Sequence, residues 1–499
     1  MIEATHVQRR TVHFPRSSPT AMANALHWFF QTLDRRRTFH LLIVLNALVA
    51  VATLWLSRAT FLSDGWSYLG LAEGLLHGEY SMWWPLEAEY PDTFRAPGYP
   101  AFLAFFIKIF GTWKSVYVVN AVLYAVALYL TLGVIERLDP RLGTRSLFLL
   151  LLLPLMNVPY YIGQLYTEIP VLAAFSLVLH LIVGRTRWSI GTAVVLGLTL
   201  GFVHLCKPIY LLLPLALIIA AVIKDRRNFD LRGHAVMVVT IFVILLPYGL
   251  WNERNHGQFK VTPIEGGGGY MHFAYWCGKM PGYTDHFSLG NFTGDELIRF
   301  TPEDSVPGHI AAFEREWAFI NAQTHPLLTA KDSIMLNSRD KLPYVAEPTY
   351  NTRFAMTRER LLKERAFALM WNDPWYTLAY KSYSAVRLWV IGIQRADFAA
   401  ASTAKKVEML YATLSTGLLF LLGIIMIPLA YFRKVISLRN TWPLLLLVVY
   451  TGLLHVPFTI QSRYTVCVRF AMLGLLSLAC AAIWQRYISA STATGKGDR

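Results

Sequence analysis

Ten apolar runs punctuate the chain, at 39–57, 115–134, 145–161, 166–184, 189–205, 209–223, 234–251, 410–432, 441–458 and 466–485. Such runs have the length of membrane-crossing helices: a helix rises about 1.5 Å per residue, and the hydrocarbon core of a bilayer is about 30 Å thick. Several are slightly short, which tilt or local bilayer thinning accommodates. Residues 98–111 and 376–393 are also apolar but marginal in length. The pattern predicts an all-α polytopic membrane protein, a bundle of about 10–12 spans with interfacial helices.

The polar intervals orient the bundle. Basic clusters stand at Arg137, Arg141 and Arg145, at Arg185 and Arg187, at Lys224, Arg226, Arg227 and Arg232, at Arg433, Lys434 and Arg439, and at Arg486, Lys496 and Arg499. Ten spans with the N-terminus inside place all of these in the cytoplasm, as the positive-inside rule requires. On that count 98–111 and 376–393 are interfacial or re-entrant helices. The runner-up has both crossing, which keeps both ends inside and flips the middle. Five regions follow: a basic cytoplasmic arm over 1–37, with an amphipathic helix at 21–33; a transmembrane module over 38–251, including a first loop at 58–114; a large, partly helical extracytoplasmic loop over 252–409; C-terminal helices over 410–485; and a cytoplasmic tail over 486–499. The N-terminus does not read as a cleavable signal peptide, because its charged region is long and the apolar run after it is of spanning length.

Composition narrows the class. The chain has 499 residues, 55% of them hydrophobic and 14% aromatic, too apolar for a soluble protein of this size. The net charge of +15 reflects cytoplasmic loops, so nucleic acid is not an expected partner. Cys206, Cys277, Cys467 and Cys480 show no metal-type spacing, and only Cys277 lies in a long loop.

One polar stretch stands out. Phe61 to Pro100 carries Asp64, Glu73, Glu79, Glu87, Glu89 and Asp92, with the aromatic residues Tyr80, Trp83, Trp84 and Tyr90. Trp83 and Trp84 suit the membrane interface or a sugar ring, and the interface is the first choice. Asp64 follows the first span and precedes a helical run, Trp66 to Leu76, so it stands in an N-cap region. Glu168, in GQLYTEIPV, opens another span on the same face. Lys207, Arg254, His256, Arg95 and Arg463 also fall on that face. Ionisable groups near membrane depth are functional candidates. A short strand-like stretch, FKVTPI, leads into GGGG at 266–269, a sequence that lets backbone approach a ligand closely or forms a flexible turn.

Acids beside cations at an interface suit glycosyl transfer from a lipid phosphate. A carboxylate takes the proton of the acceptor hydroxyl. Fixed positive charge holds the leaving phosphate, through an Arg fork or a Lys point charge. No Walker or Rossmann glycine motif is present, and this chemistry needs no nucleotide.

The sequence resembles the GT-C membrane glycosyltransferases that use polyprenyl-phosphate sugars, including protein O-mannosyltransferases and lipid A aminoarabinose transferases. The resemblance rests on DGWSYLGLAEGLLHGEY after the first span, FRAPGYPAFLAFFIKIFG, YTEIPV, LGFVHLCKP, WNERNHGQFKVTPIEGGGGY and SRYTVCVRF before the final span. It implies a multi-span bundle, a large extracytoplasmic loop and a catalytic aspartate in the first loop, here Asp64. Some relatives carry two adjacent acids there, whereas Asp64 is followed by Gly65. A divalent metal is therefore an open question.

The expectation is an inverting hexosyl or pentosyl transferase in a bacterial-type inner membrane. Its donor is a polyprenyl-phosphate sugar, its acceptor a glycan, lipid or protein, and membrane lipids surround it. Asp64 is the expected base, with Glu168 the second acid. Lys207, Arg254 and Arg463 are expected to hold the lipid phosphate, with Tyr68, Arg95, His256 and Tyr464 nearby. A lipid-linked glycan flippase and a surface-polysaccharide polymerase or ligase are the alternatives. An extracytoplasmic base separates transferase from flippase.

Overall fold

The computed structural model describes residues 19–57, 63–82, 90–280, 300–332, 350–393, 395–458 and 460–494. Among them every regular element is helical, and no strand occurs. The FKVTPI stretch is thus no strand. It is an irregular segment held by side chains: Asn252 Nδ2 donates to the Thr262 carbonyl at 3.3 Å, and a His204 ring nitrogen meets the Val261 carbonyl at 2.7 Å.

Among the described residues five helices are long and apolar enough to cross a membrane: Arg36–Trp55, Ser115–Leu138, Leu231–His256, Thr403–Phe432 and Ser462–Tyr487. Shorter apolar helices stand among them, at Gly98–Phe110, Leu142–Leu152, Glu168–Ile182, Ile190–Cys206 and Pro208–Lys224. The chain is a multi-pass membrane protein. The run at 145–161 departs from expectation: its helix ends at Leu152, and a short 3-10 turn follows over Pro159–Gly163. Pro154 and Pro159 lack the N–H that would continue the helix.

Helix ends follow local chemistry. Ser189 accepts from Thr192 N, Asp230 from Gly233 N and Ser402 from Lys405 N, each as an N-cap. Gly257 ends the Leu231–His256 helix in the left-handed conformation, at φ 69°. Small residues let that helix press on Ile190–Cys206: a Cβ at Gly201 would lie 2.1 Å from Ile244 Cγ2.

The bundle has two distinct ends. At one, Asp34 accepts from Gly143 N at 2.5 Å, Phe30 stacks on Trp484, Trp188 N donates to Asp230, and Arg439 pairs with Asp225 at 3.0 Å. These are the basic loops expected to share a side. The Ser115–Leu138 helix runs from the opposite end, where Asn120 donates to the Gln164 carbonyl, to this one, where Arg137 meets His180. Gly98 lies against Leu205 at the opposite end. The Gly98–Phe110 helix therefore begins there, and the Ser115–Leu138 helix that follows it begins at the same end.

The centre of the bundle is the segment from Ser462 to Tyr487. Its apolar window is 83% buried, whereas those of the other four long helices are 17–33% buried. Phe470, Leu473 and Leu476 are fully enclosed, and Phe470 meets Tyr124 and Phe148 edge to face. The other long helices turn Leu48, Val122, Val239 and Leu418 outward, the faces a bilayer would cover.

The 252–409 region builds a separate small core from Phe273, Trp276, Phe313 and Tyr380. The GGGG stretch opens the Gly267–Trp276 helix, and its free N–H groups already have a ligand. Gly266 N and Gly268 N donate to the Glu359 carboxylate at 3.2 and 2.6 Å. This is an intramolecular carboxylate on a helix N-terminus.

Candidate active site

Asp64 stands in the first turn of the Ser63–Leu76 helix. Among the described residues its hydrogen bonds go to two arginines and not to the turn's backbone. Oδ1 accepts from Arg95 Nη2 at 2.8 Å, and Oδ2 accepts from Arg463 Nη2 at 2.6 Å. All three side chains are largely enclosed, with 16%, 11% and 18% exposure for Asp64, Arg95 and Arg463. Burial alone would raise the Asp64 carboxyl, but the charges and hydrogen bonds of Arg463 and Arg95 outweigh it and hold it well below the usual carboxylate range.

A second ion pair lies alongside. Lys207 Nζ donates to Glu168 Oε1 at 3.0 Å, and Glu168 is 2% exposed. Lys207 follows the Ile190–Cys206 helix as its C-cap, and Pro208 sets the next turn. Glu168 opens the Glu168–Ile182 helix. Tyr464 links the two pairs, because both Lys207 and Arg463 lie over its ring, at 5.6 and 5.5 Å. Arg463 also lies over Tyr166 at 4.8 Å, and Arg95 over Tyr68 at 5.1 Å. Aromatic faces against guanidinium groups fix their planes. The cluster counts three cations, Arg95, Lys207 and Arg463, against two acids, Asp64 and Glu168. Among these five described groups one positive charge is in excess.

The backbone behind Arg95 is held from both sides. Asp92 Oδ1 accepts from Phe94 N at 2.9 Å and from Arg95 N at 2.6 Å, and the Arg95 carbonyl accepts from the Tyr80 hydroxyl at 3.0 Å. Asp92 is 1% exposed. Burial pushes its carboxyl up to about 6, against the pull of those N–H groups.

The structure thus joins Asp64, Tyr68, Arg95, Glu168, Lys207, Arg463 and Tyr464, all singled out from the sequence. It sets Arg254 and His256 apart. Arg254 lines a different cavity, with Tyr90 and Lys331, and His256 is buried with Nδ1 at 2.8 Å from Thr352 Oγ1. The Leu231–His256 helix runs on beyond residue 251 and carries both away from the cluster. Arg95, not Arg254, stands beside Asp64 in the cluster. Tyr166 and Asp92 were not singled out. The sequence hint for Tyr166 is its position two residues before Glu168. Trp83, Trp84, Glu87 and Glu89 lie outside the described residues. The four cysteines are free thiols.

Bundle and cluster together define a multi-pass, all-helical membrane protein with an enclosed, net-cationic site. No family model matches the sequence. No curated protein matches it. Among solved structures the chain is similar to the archaeal oligosaccharyltransferase AglB from Archaeoglobus fulgidus, in complex with an inhibitory peptide and a dolichol-phosphate. That likeness has 15% identity and a TM-score of 0.40, over 93% of this chain and 52% of that one. The chain is also similar to ArnT from Cupriavidus metallidurans bound to undecaprenyl phosphate, at 14% identity and a TM-score of 0.36, over 88% of this chain and 78% of that one. It spans about half the length of the oligosaccharyltransferases it matches.

Proposed function

We propose that the chain transfers a sugar, with inversion, from a polyprenyl-phosphate donor to an acceptor hydroxyl on the extracytoplasmic face of a bacterial-type inner membrane. The carrying observation is the enclosed cluster of three cations and two acids, with Asp64 held between two arginine forks. An enclosed excess of positive charge is costly unless an anion joins it. A lipid phosphate supplies that anion and has more oxygens to offer than one carboxylate.

Asp64 in its two-arginine clamp is a weak base. Donor phosphate competes for Arg463 and Arg95, and as they turn to it the Asp64 carboxylate regains basicity. The acceptor oxygen then attacks the sugar's anomeric carbon while the bond from that carbon to the phosphate oxygen breaks. Asp64 takes the acceptor proton. The leaving polyprenyl phosphate keeps the bonding electron pair, and Arg463, Arg95 and Lys207 neutralise it. Glu168 holds Lys207 in place. A divalent ion has no evident donor set: no group of three His, Cys, Asp or Glu stands together among the described residues, and the Asp64 oxygens already carry guanidinium groups. No step is routed through one.

The test is incubation of purified protein with a panel of polyprenyl-phosphate sugars and candidate acceptors, followed by mass measurement of released polyprenyl phosphate. Release with at least one donor supports the proposal. No release from any donor, together with movement of a lipid-linked glycan across liposomes, makes the chain a flippase. Release of polyprenyl pyrophosphate from added polyprenyl-pyrophosphate glycans, with none from the monophosphate sugars, instead makes it a polymerase or ligase. The orientation has its own readout: a reporter after Arg141 reads cytoplasmic, and one within Val306–Thr324 reads extracytoplasmic.

A further inference from the structure

NERNHG and the run into GGGG stand outside the Asp64 cluster, yet both belong to one joint beside Arg95. We propose that Glu265 is a positioning residue: it joins the segment that carries Arg95 to the 252–409 region, and so sets where Arg95 meets Asp64 and the donor phosphate. The phosphate part rests on the function proposed above; the joint itself does not.

Glu265 divides its carboxylate between two distant elements. Oε2 accepts from the Thr93 hydroxyl at 2.6 Å, across 172 positions of sequence, and Oε1 accepts from Arg358 Nη2 at 2.6 Å, across 93. The backbone repeats the first contact, with Glu265 N donating to the Thr93 carbonyl at 2.8 Å. The Glu265 side chain is 4% exposed, and Thr93 is buried. An enclosed carboxylate is costly unless it is paired and hydrogen-bonded, so each contact supports the other.

Thr93 stands two residues before Arg95 and next to Asp92, whose Oδ1 accepts from the Phe94 and Arg95 N–H groups. Phe94 faces both ways. Its ring lies 6.1 Å from that of Tyr270, and the Arg95 guanidinium lies over it at 4.9 Å. A shift of Thr93 is passed to Arg95 through this short, braced backbone.

The other half of the joint is the Thr352–Asn372 helix. Its consecutive residues Arg358 and Glu359 grip one turn of chain: Arg358 holds Glu265, and Glu359 accepts from Gly266 N and Gly268 N. The Arg358 guanidinium lies over the Phe354 ring at 5.0 Å, which fixes its plane. Thr352 Oγ1, in the first turn, meets His256 Nδ1, and NERNHG thereby enters the same joint. Glu265 thus acts on the clamp through Thr93 and Arg95.

The test is a double-mutant cycle on the full chain in detergent, with polyprenyl monophosphate as the probe and no sugar donor. Thr93→Val removes the hydroxyl and changes no charge; Glu265→Gln keeps the side-chain length and removes the charge. Each is made in wild type and in Arg95→Gln, where Arg463 and Lys207 remain to hold the lipid. We expect each to weaken lipid binding at least about fivefold in wild type but less than about twofold in Arg95→Gln, because effects within one hydrogen-bonded network are not additive. Thr93→Ser keeps the hydroxyl and restores the affinity that Thr93→Val loses. Equal losses in both backgrounds, or normal binding by both variants, overturn the proposal. A wild-type chain that binds no polyprenyl phosphate fails the function proposed above and leaves the joint to a second readout. Where binding is lost altogether, in wild type or in Arg95→Gln, melting of the same variants without lipid decides: the loss caused by Thr93→Val shrinks in Arg95→Gln if the joint bears on the clamp, and equal losses overturn it.

Discussion

Arg463 and Asp64 lie 399 positions apart in the chain, yet Arg463 Nη2 stands 2.6 Å from Asp64 Oδ2. Arg95 closes on the other oxygen of the same carboxylate. In this resting arrangement Asp64 is locked as a counter-ion. On the proposed mechanism its use as a base requires a competitor for the arginines, and the donor phosphate has the right charge.

The first prediction follows from that competition. Asp64→Asn removes the base and the competitor together. Turnover falls by at least about 100-fold. Affinity for polyprenyl phosphate, measured by lipid-binding thermal shift, holds or tightens. The lipid-free variant melts lower than wild type, because two enclosed guanidinium groups lose their counter-charge, and added polyprenyl phosphate closes much of that gap. Near-normal turnover would move the catalytic assignment to Glu168.

Arg463 is predicted to act through donor binding. Arg463→Ala removes a charge-assisted fork worth about 2–3 kcal/mol, so donor KM rises by roughly 30–150-fold. Arg463→Lys recovers part of this, since a point charge replaces the fork. A fall in melting temperature with unchanged kinetics in the surviving protein would mark the residue as structural.

The Glu168–Lys207 pair separates stability from chemistry. Glu168→Gln leaves Lys207 enclosed without its partner, a loss of about 3–5 kcal/mol. Glu168→Gln/Lys207→Met removes both charges and recovers most of that stability in a denaturant or thermal melt. The double variant does not recover donor KM if Lys207 meets the phosphate as proposed. Full kinetic recovery would confine the pair to folding.

Asp92 gives a pH dependence with a definite sign. Its carboxyl is pushed from an ordinary 3.8 to about 6 by burial, so the folded chain holds the proton more tightly than the unfolded one. Stability associated with the protonated form is present below about pH 4 and is lost as pH rises through 6. Asp92→Asn keeps an oxygen for the Phe94 and Arg95 N–H groups and has no proton to lose. Melting curves from pH 4 to 7 should show the variant gaining on wild type as pH rises. A pH-independent difference would refute the assignment.

Much of this site was legible because membrane topology is written in charge. Placing the basic loops on one side put Asp64, Glu168, Lys207 and Arg463 on the other, and the structure joins those four. Pairing was not legible. Nothing in FRAPGYP says that Arg95 rather than Arg254 reaches Asp64; that depends on how far the Leu231–His256 helix runs past its apolar stretch. The break after Leu152 was foreshadowed by Pro154 and Pro159, but hydropathy sums over such interruptions. GGGG announced exposed backbone donors without naming Glu359, which lies beyond residue 350 and supplies the carboxylate they bind. Local sequence reports what a segment offers; long-range packing decides what takes it.

The burial of the Ser462–Tyr487 segment carries a consequence for biosynthesis. Chains emerge N-terminal end first, and earlier segments begin to assemble before later ones exist. The most enclosed long helix here is the last of the described ones to leave the ribosome, and it enters a ring of helices already in the bilayer. Arg463 stands at its leading edge. Asp64 therefore waits for its second arginine until residue 463 has been made, and any chain released before that point lacks the clamp. The clamp closes only as the most enclosed helix takes its place.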